Sequence, residues 1–425
     1  MKITRVLAIF VAAAALLSSC GGETAFDVRD NGANTFICDY LYGVEYDDYD
    51  FVKSRTVFEK FLPQAAGCSE VRKGDFVGRN LDWYINRQAS AVIKMNATED
   101  HYASIGVIGC CPEFLNDFAA SGEYGPIYEV LPMFTVDGLN ENGVYVGVNV
   151  TATGETSYDP STWETGKWGH GAAFTNPEAE YTYCVTYLVR VILDRAVSAA
   201  NAKEIIESIN WFEPVGFPEE GATQSFHWLI CDRQTSIVLD FIDNKPVFTE
   251  TSNSKRPSYA TVMTNFSNAL MFKAGTMQIS GAGYERWDIL ADNYDSAQES
   301  FEGMEQLMSN VWYSKSYTIP YDSHNFMITE YASPKYPAYY LYKHYEYTDD
   351  EFLVKEMDEL RESFKDKSRW HQDDTKFWYT THTSVYSISR REMRILTHEG
   401  LDGQNAYFEA SLKGSHFAKP LEMQK

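Results

Sequence analysis

The chain has 425 residues, 44% of them hydrophobic, and carries 36 basic against 60 acidic side chains for a formal charge of −24. Such a length and apolar share supply one large core or two ordinary ones, so the chain is globular. So negative a charge repels nucleic-acid phosphates and gives no electrostatic hold on anionic lipid, which excludes nucleic acid as a partner.

The first element is a targeting signal. Met1 to Arg5 is short and basic, and Val6 to Leu17 is an apolar run too short to span a bilayer. It ends in Leu17-Ser18-Ser19-Cys20, which resembles a bacterial lipobox with Cys20 as the lipidated residue. Residues 1–20 are therefore expected to be a lipoprotein signal peptide. The protein would be exported and lipid-anchored in a bacterial cell envelope, periplasm or outer membrane, touching the membrane only through the anchor. An ordinary signal peptide with an incidental cysteine is the alternative.

Residues 21 to 34 are polar and rich in Gly, Asn and Asp, the composition of a tether. Phe36 to Phe61 is aromatic and acidic, with a short helix expected over Lys53 to Leu62. Strand patterns follow at Gly74 to Asp82, Ala91 to Met95, Ala103 to Ile108, Met133 to Asp137 and Val144 to Val150. Asn140-Glu141-Asn142-Gly143 joins the last two as a tight turn. Tyr181 to Ile209 has helical spacing, with a break near Ser198 and Asn201 as a cap for a second helix. Strands resume at Ser225 to Asp232, Ser236 to Ile242 and Ala260 to Thr264. Helices are expected over Tyr284 to Tyr294 and Ala297 to Val311, then strands over Thr380 to Ser389 and Arg394 to Thr397. Without βαβ regularity, this order fits an α+β fold with helices layered on antiparallel sheets.

Of the seven cysteines, Cys184 and Cys231 lie in apolar segments and read as buried inert thiols. Cys110-Cys111 reads as the end of a strand. Cys38 has no partner that the sequence identifies. Cys68 alone has reactive-looking neighbours, with Gly67 before it and Gly78-Arg79-Asn80-Leu81-Asp82 following ten residues on.

Taken in order, Cys68, Gly78 to Asp82, Asp137-Gly138-Leu139-Asn140-Glu141-Asn142-Gly143 running to Gly147-Val148-Asn149, Phe226 to Asp232, Thr264-Asn265 and Arg286-Trp287 resemble the signature of the choloylglycine hydrolase family. That family includes bile salt hydrolases, penicillin V acylases and relatives of acid ceramidase. The resemblance implies an αββα sandwich of the N-terminal nucleophile hydrolases, two antiparallel sheets between helical layers. It divides the chain into residues 1–20 (signal), 21–67 (tether and pro-segment) and 68–425 (amide hydrolase domain). The spacing from Cys68 to Arg79 is shorter than in typical bile salt hydrolases, which predicts a tighter first hairpin.

Amide hydrolysis needs a nucleophile, a proton acceptor, a donor for the leaving amine and donors aimed at the oxyanion. A cysteine at a chain start supplies the first three, because its α-amine, with a pKa near roughly 7.7 to 8.0, can take the thiol proton and return it. Cys68 is internal, so the Gly67-Cys68 bond would have to be cut. Glycine before it leaves the carbonyl open to the thiol and the backbone free to strain. By resemblance, Asp82 would hold the Cys68 amine, Arg79 would favour the thiolate, Asn265 and the backbone around Asn149 would form the oxyanion hole, and Arg286 would order the centre. The bland alternatives are a cross-strand ion pair for Arg79 and Asp82, turn chemistry for Asn149 and Asn265, and a solvated helix charge for Arg286. His227 and Trp228 read as core.

The expected substrate is a small-molecule N-acyl amide, such as a conjugated bile salt or a fatty-acyl amide, cradled by aromatic segments at Ile108 to Tyr128 and Trp312 to Tyr347. Phenoxyacetyl penicillins, an acyltransferase using the same thioester, and an inactive binding lipoprotein stay open as alternatives. No cofactor and no metal are expected, and self-association into a homo-oligomer stays open.

Overall fold

The computed structural model of the chain describes residues 25–28, 34–38, 41–46, 67–84, 89–110, 131–151, 171–213, 225–242, 244–252, 258–269, 281–321, 324–331, 368, 371–372, 378–398, 407–413 and 418–421. The expected signal peptide with Cys20 and the helix over Lys53 to Leu62 lie outside the described residues.

Three short strands lead, β1 (Ala25–Val28), β2 (Asn34–Cys38) and β3 (Leu41–Tyr46). The first falls inside the stretch read as a tether. A hairpin of β4 (Gly67–Lys73) and β5 (Phe76–Tyr84) follows, as tight as the spacing predicts, turning at Gly74 with φ 56°. Gly67 is extended within β4 and pairs with Asp82, rather than sitting in a strained turn. Next come β6 (Ala89–Met95), β7 (Ser104–Cys110), β8 (Thr135–Asn140) and β9 (Tyr145–Thr151), an antiparallel meander. Its Asn140 to Gly143 turn puts only Gly143 in the left-handed region (φ 84°).

The expected helix from Tyr181 starts later. β10 (Gly171–Phe174) and β11 (Thr182–Cys184) precede α1 (Leu188–Arg195), and α2 (Ala199–Glu207) precedes β12 (Asn210–Glu213). Tyr-Thr-Tyr-Cys is aromatic and β-branched, and its pairing with β12 overrides the helical spacing. The cap of α2 is Ser198, whose hydroxyl accepts the Asn201 N–H at 3.1 Å, so Asn201 is the recipient of the cap and not the cap itself. After β13 (Ser225–Cys231), β14 (Ser236–Ile242) and β15 (Lys245–Glu250), the expected strand over Ala260 to Thr264 is broken. It is a helical turn, α3 (Ser258–Thr261), then β16 (Val262–Met263) and β17 (Asn265–Phe266). β18 (Gly281–Ala282) leads into α4 (Tyr284–Tyr294) and α5 (Phe301–Ser309), the latter capped by Ser300. The hairpin of β19 (Tyr313–Tyr321) and β20 (His324–Tyr331), with β21 (His371–Gln372), has no counterpart among the elements expected from the sequence. The chain closes with β22 (Trp378–Ser387), β23 (Glu392–Thr397), β24 (Tyr407–Ser411) and β25 (Ala418–Pro420).

Two sheets dominate. One has ten strands in the order β1-β2-β3-β6-β7-β8-β9-β13-β14-β15, antiparallel except for β3 beside β6, and the other has seven in the order β16-β4-β5-β22-β23-β24-β25. Their facing sides share one apolar cluster, with Val107, Leu139 and Leu229 of the first sheet meeting Val77, Tyr386 and Ile395 of the second. α1 and α2 cover the outer side of the first sheet through Leu188, Ile192 and Ile206. α4 and α5 cover the outer side of the second through Leu290, Met304 and Leu307. The fold is thus the expected α+β sandwich, helix layers outside two antiparallel sheets. Being covered on both faces, β8 is buried along its whole length rather than alternately.

Candidate active site

Cys68 is the second residue of β4, fully buried. On one side β4 pairs with β5 along its length, Cys68 opposite Leu81. On the other side β16 pairs only with Val71 and Glu70, and there the ladder stops. A buried backbone N–H and C=O need partners, and at Cys68 side chains supply them where the strand has ended. The Cys68 N–H donates to Asn265 Oδ1 at 3.1 Å, and Arg286 Nη1 donates to the Cys68 carbonyl at 2.7 Å.

The same Arg286 Nη1 meets Asp82 Oδ2 at 2.9 Å, while Nη2 donates to Asn265 Oδ1. Thr380 donates to Asp82 Oδ1 at 2.7 Å. Arg286 lies in the first turn of α4, 1% exposed, so it is no solvated helix charge. It enters the site because Gly283 caps α4 at φ 91°: a Cβ there would stand 2.9 Å from both Arg286 Nη2 and Thr264.

The Cys68 side chain turns the other way, between the sheets. Glu70 shares its face of β4, and Arg79 sits opposite Glu70 on β5. Arg79 Nη2 stands 3.4 Å from Cys68 Sγ and 2.7 Å from the Val148 carbonyl, while Nε meets Glu70 Oε1 at 3.2 Å and Nη1 meets Asp137 Oδ2 at 2.6 Å. Asp137 also accepts from the Tyr386 hydroxyl, and Glu70 Oε2 accepts from Tyr145 at 3.1 Å. Arg79 and Asp82 therefore do not pair with each other: they lie on opposite faces of β5, each with its own partner.

Asn149 and Asn265 approach from β9 and β17. Asn149 Nδ2 donates to the Thr264 carbonyl at 3.1 Å, and Asn265 Nδ2 donates to the Val150 carbonyl at 2.6 Å. Since an amide nitrogen carries two hydrogens, Asn265 keeps a second donor beyond that bond. His227, expected as core, is buried but also bonds the Thr264 carbonyl through Nε2 at 2.8 Å. Trp228 packs in the core, and Cys184 and Cys231 are buried thiols.

Burial dominates the electrostatics. It pushes the Cys68 thiol up to about 12 against the pull of Arg79, with Asp82 and Glu70 adding to the rise. Burial likewise lifts Glu70 to about 8 and raises Asp82, although Arg79 and Arg286 respectively pull these carboxyls down. Arg79 is held well above its ordinary value, because Cys68, Asp137 and Glu70 together outweigh the burial that opposes its charge.

Of the six residues singled out by the sequence, Arg79, Asn265 and Arg286 bond Cys68 directly and Asp82 joins through Arg286, whereas Asn149 reaches only the Thr264 carbonyl, one residue before Asn265. Glu70, Tyr145, Tyr386 and Thr380 were missed. Glu70 was within reach of sequence reasoning, since a hairpin turning at Gly74 sets it opposite Arg79 and opposite charges favour such cross-strand sites.

Residues 69–280 match the family model described as linear amide C–N hydrolases, choloylglycine hydrolase family. The chain belongs to the choloylglycine hydrolase family. It is accordingly an amidohydrolase of linear amides. The match takes in Arg79, Asp82, Asn149 and Asn265 but stops short of Cys68 and Arg286, which only the geometry brings to the site. No match was found among curated proteins. Among solved structures, this choloylglycine hydrolase family member is similar to a mutant of conjugated bile acid hydrolase from Clostridium perfringens, at 12% identity over 84% of this chain and 97% of that one, with a TM-score of 0.38. It is also similar to penicillin V acylase from Agrobacterium tumefaciens, at 13% identity over 81% and 92% of the two chains, with a TM-score of 0.36.

Proposed function

We propose that Cys68 is the nucleophile of this amidohydrolase and becomes a chain start by cleavage of the Gly67-Cys68 bond. The observation that carries this reading is the convergence on one residue. Arg79 lies at Sγ, Asn265 at the backbone nitrogen and Arg286 at the carbonyl. Any residue at this strand end would need partners for its backbone, but a structural cysteine needs no guanidinium at its sulfur.

In the first step Sγ attacks the Gly67 carbonyl carbon, the C–N bond to Cys68 breaks, and the nitrogen leaves as an amine. Water then hydrolyses the resulting thioester, leaving a carboxylate on Gly67 and a free thiol on Cys68. Arg79 is the cation placed to offset the charge on sulfur as its proton departs. In turnover, the α-amine takes the thiol proton, sulfur attacks the substrate amide, and the ammonium returns the proton to the departing amine. The second Asn265 N–H is the donor available to the oxyanion. Asp82, held by Arg286 and Thr380, is the carboxylate nearest in register to the new amine, being paired with Gly67. Water attacks the acyl thioester and releases the acid.

The substrate class is an N-acyl amide with an apolar acyl group, a conjugated bile salt or a fatty-acyl amide, in keeping with a chain of which 15% is Phe, Trp or Tyr. The lipobox at Cys20 supports export with a lipid anchor. Cleavage at Cys68 separates that anchor from the catalytic chain, and the pairing of the three leading strands bears on the fate of the severed piece. β3 is backbone-paired with β6 over six residues, Leu41–Tyr46 against Ser90–Met95, and β1 and β2 continue the same sheet. The severed segment therefore stays bound, giving a two-chain enzyme.

The test uses purified wild type, Cys68→Ala and Cys68→Ser against glycocholate, taurocholate, N-oleoylethanolamine and penicillin V. Cys68→Ala is expected to remain uncut and inactive, and Cys68→Ser to cut and hydrolyse slowly, because a hydroxyl is the weaker nucleophile at neutral pH. Turnover by Cys68→Ala would overturn the reading.

A further inference from the structure

Glu70 lies outside the residues the sequence singled out, yet no side chain is set more deliberately around Arg79. It is fully buried, two positions from Cys68 on the same face of β4, and opposite Arg79 in register. Its Oε1 takes the Arg79 Nε–H at 3.2 Å, and its Oε2 takes the Tyr145 hydroxyl at 3.1 Å from across the sandwich. Room for that carboxyl exists only because residue 147 is glycine: a Cβ there would stand 2.4 Å from Glu70 Oε2 and 2.5 Å from the Tyr145 hydroxyl.

Stability does not account for the arrangement. Exchanging a buried ion cluster for apolar side chains of similar volume is often neutral or stabilising. Nor is charge balance the reason, since Asp137 alone neutralises Arg79 at 2.6 Å. A second carboxyl on the same guanidinium competes with Sγ for its positive charge. With both carboxyls ionised, the cluster would be net negative before the thiol loses its proton.

We propose that Glu70 is a positioning residue that fixes Arg79 against Cys68 and, by holding or losing its own proton, sets how much of the Arg79 charge reaches Sγ. The inference rests on Cys68 as nucleophile and concerns the regulation of that same site. With Glu70 neutral, Arg79 balances Asp137 and still faces the sulfur. With Glu70 ionised, the cluster opposes thiolate formation. The groups facing Glu70 are Cys68 on its own strand, Arg79 on β5, Asp137 on β8, Tyr145 on β9 and the Cys231 thiol of β13, with Tyr386 of β22 behind Asp137. Burial lifts Glu70 to about 8, so the switch falls at mildly alkaline pH.

The test compares cut wild type with Glu70→Gln and Glu70→Ala, following Cys68 alkylation by iodoacetamide and kcat and KM on one amide as functions of pH. Glutamine has the shape of protonated glutamate: its Oε1 can accept from Arg79, and its amide nitrogen can donate to the Tyr145 hydroxyl, as a protonated carboxyl would. Its thiolate should form at a pH lower by about one unit, as expected on removing a nearby like charge, and any alkaline fall in kcat near pH 8 should vanish. Glu70→Ala should lower kcat with KM nearly unchanged, by up to about 100-fold, since a misplacement of about 1 Å at a reacting centre can cost that much. If Glu70→Ala does not fold, Glu70→Gln decides alone. Coincidence of the Glu70→Gln and wild-type alkylation profiles would overturn the proposal, whatever the change in stability. Cys68→Ala run alongside separates the two readings: an active Cys68→Ala removes the nucleophile, whereas an inert Cys68→Ala with an unshifted Glu70→Gln removes only the role of Glu70.

Discussion

Asn265 Oδ1 accepts the backbone N–H of Cys68 at 3.1 Å, so the nitrogen that cleavage would free as an α-amine already has its partner in the uncut chain. Asn265 also keeps an amide hydrogen for an oxyanion. Asn265→Ala is therefore expected to slow self-cleavage, read as uncut mass over time, and to lower kcat of the cut fraction by about 10²–10³. A wild-type kcat in that variant would take Asn265 out of the oxyanion role.

Gly147 is the space that admits Glu70, with a Cβ contact of 2.4 Å to its carboxyl. The neighbours are fully buried in a packed inter-sheet layer and cannot retreat into solvent. Gly147→Ala should cost about 1–3 kcal/mol in thermal or denaturant unfolding, the usual penalty of overpacking, and should lower kcat as Glu70 is displaced. An unchanged unfolding midpoint would show that Glu70 can repack.

The buried histidines predict an acid limb in the pH dependence of stability. Burial pushes His398 down to about 3, and burial, helped by Arg79 and His398, holds His382 well below its ordinary value. Below an ordinary histidine value of about 6.5 the unfolded chain takes up protons that the folded chain refuses. This stability is fully present above about pH 6.5 and is lost as the pH falls from there toward about 3. In acid titrations followed by circular dichroism, His398→Gln should move the unfolding transition to lower pH. A shift to higher pH would contradict the burial argument.

Retention of the N-terminal segment can be read on gels. After cleavage, native electrophoresis of the membrane fraction should show one species and denaturing gels two, the larger beginning at Cys68 by N-terminal sequencing. A catalytic chain found wholly in the soluble fraction would mean that β3 leaves β6 when the connection is cut. A single uncut band in active enzyme would defeat the cleavage reading itself.

Local pattern carried a good part of this protein. The alternation of β23, whose Met393, Ile395 and Thr397 are buried between less buried neighbours, the Asn-Gly turn before β9 and the full extent of α4 need only nearby residues to be read. The ordered motifs from Cys68 to Arg286 pointed to one site, because chemistry restricts which residue types can serve in that order.

Tertiary structure decided the rest, where partners distant in sequence compete with local preference. The strand β11 was hidden under helical spacing until its pairing with β12 was formed, and the interruption at Thr264 follows from the need to present Asn265 where β16 ends. The partners of Arg79 and Asp82 could not be read locally either. They sit three positions apart on β5, and a strand turns such residues to opposite faces, so Asp82 meets Arg286 from α4 while Arg79 meets Glu70 from β4 and Asp137 from β8. Sequence named the candidate residues; the packing of two sheets and a helix end determined which of them touch.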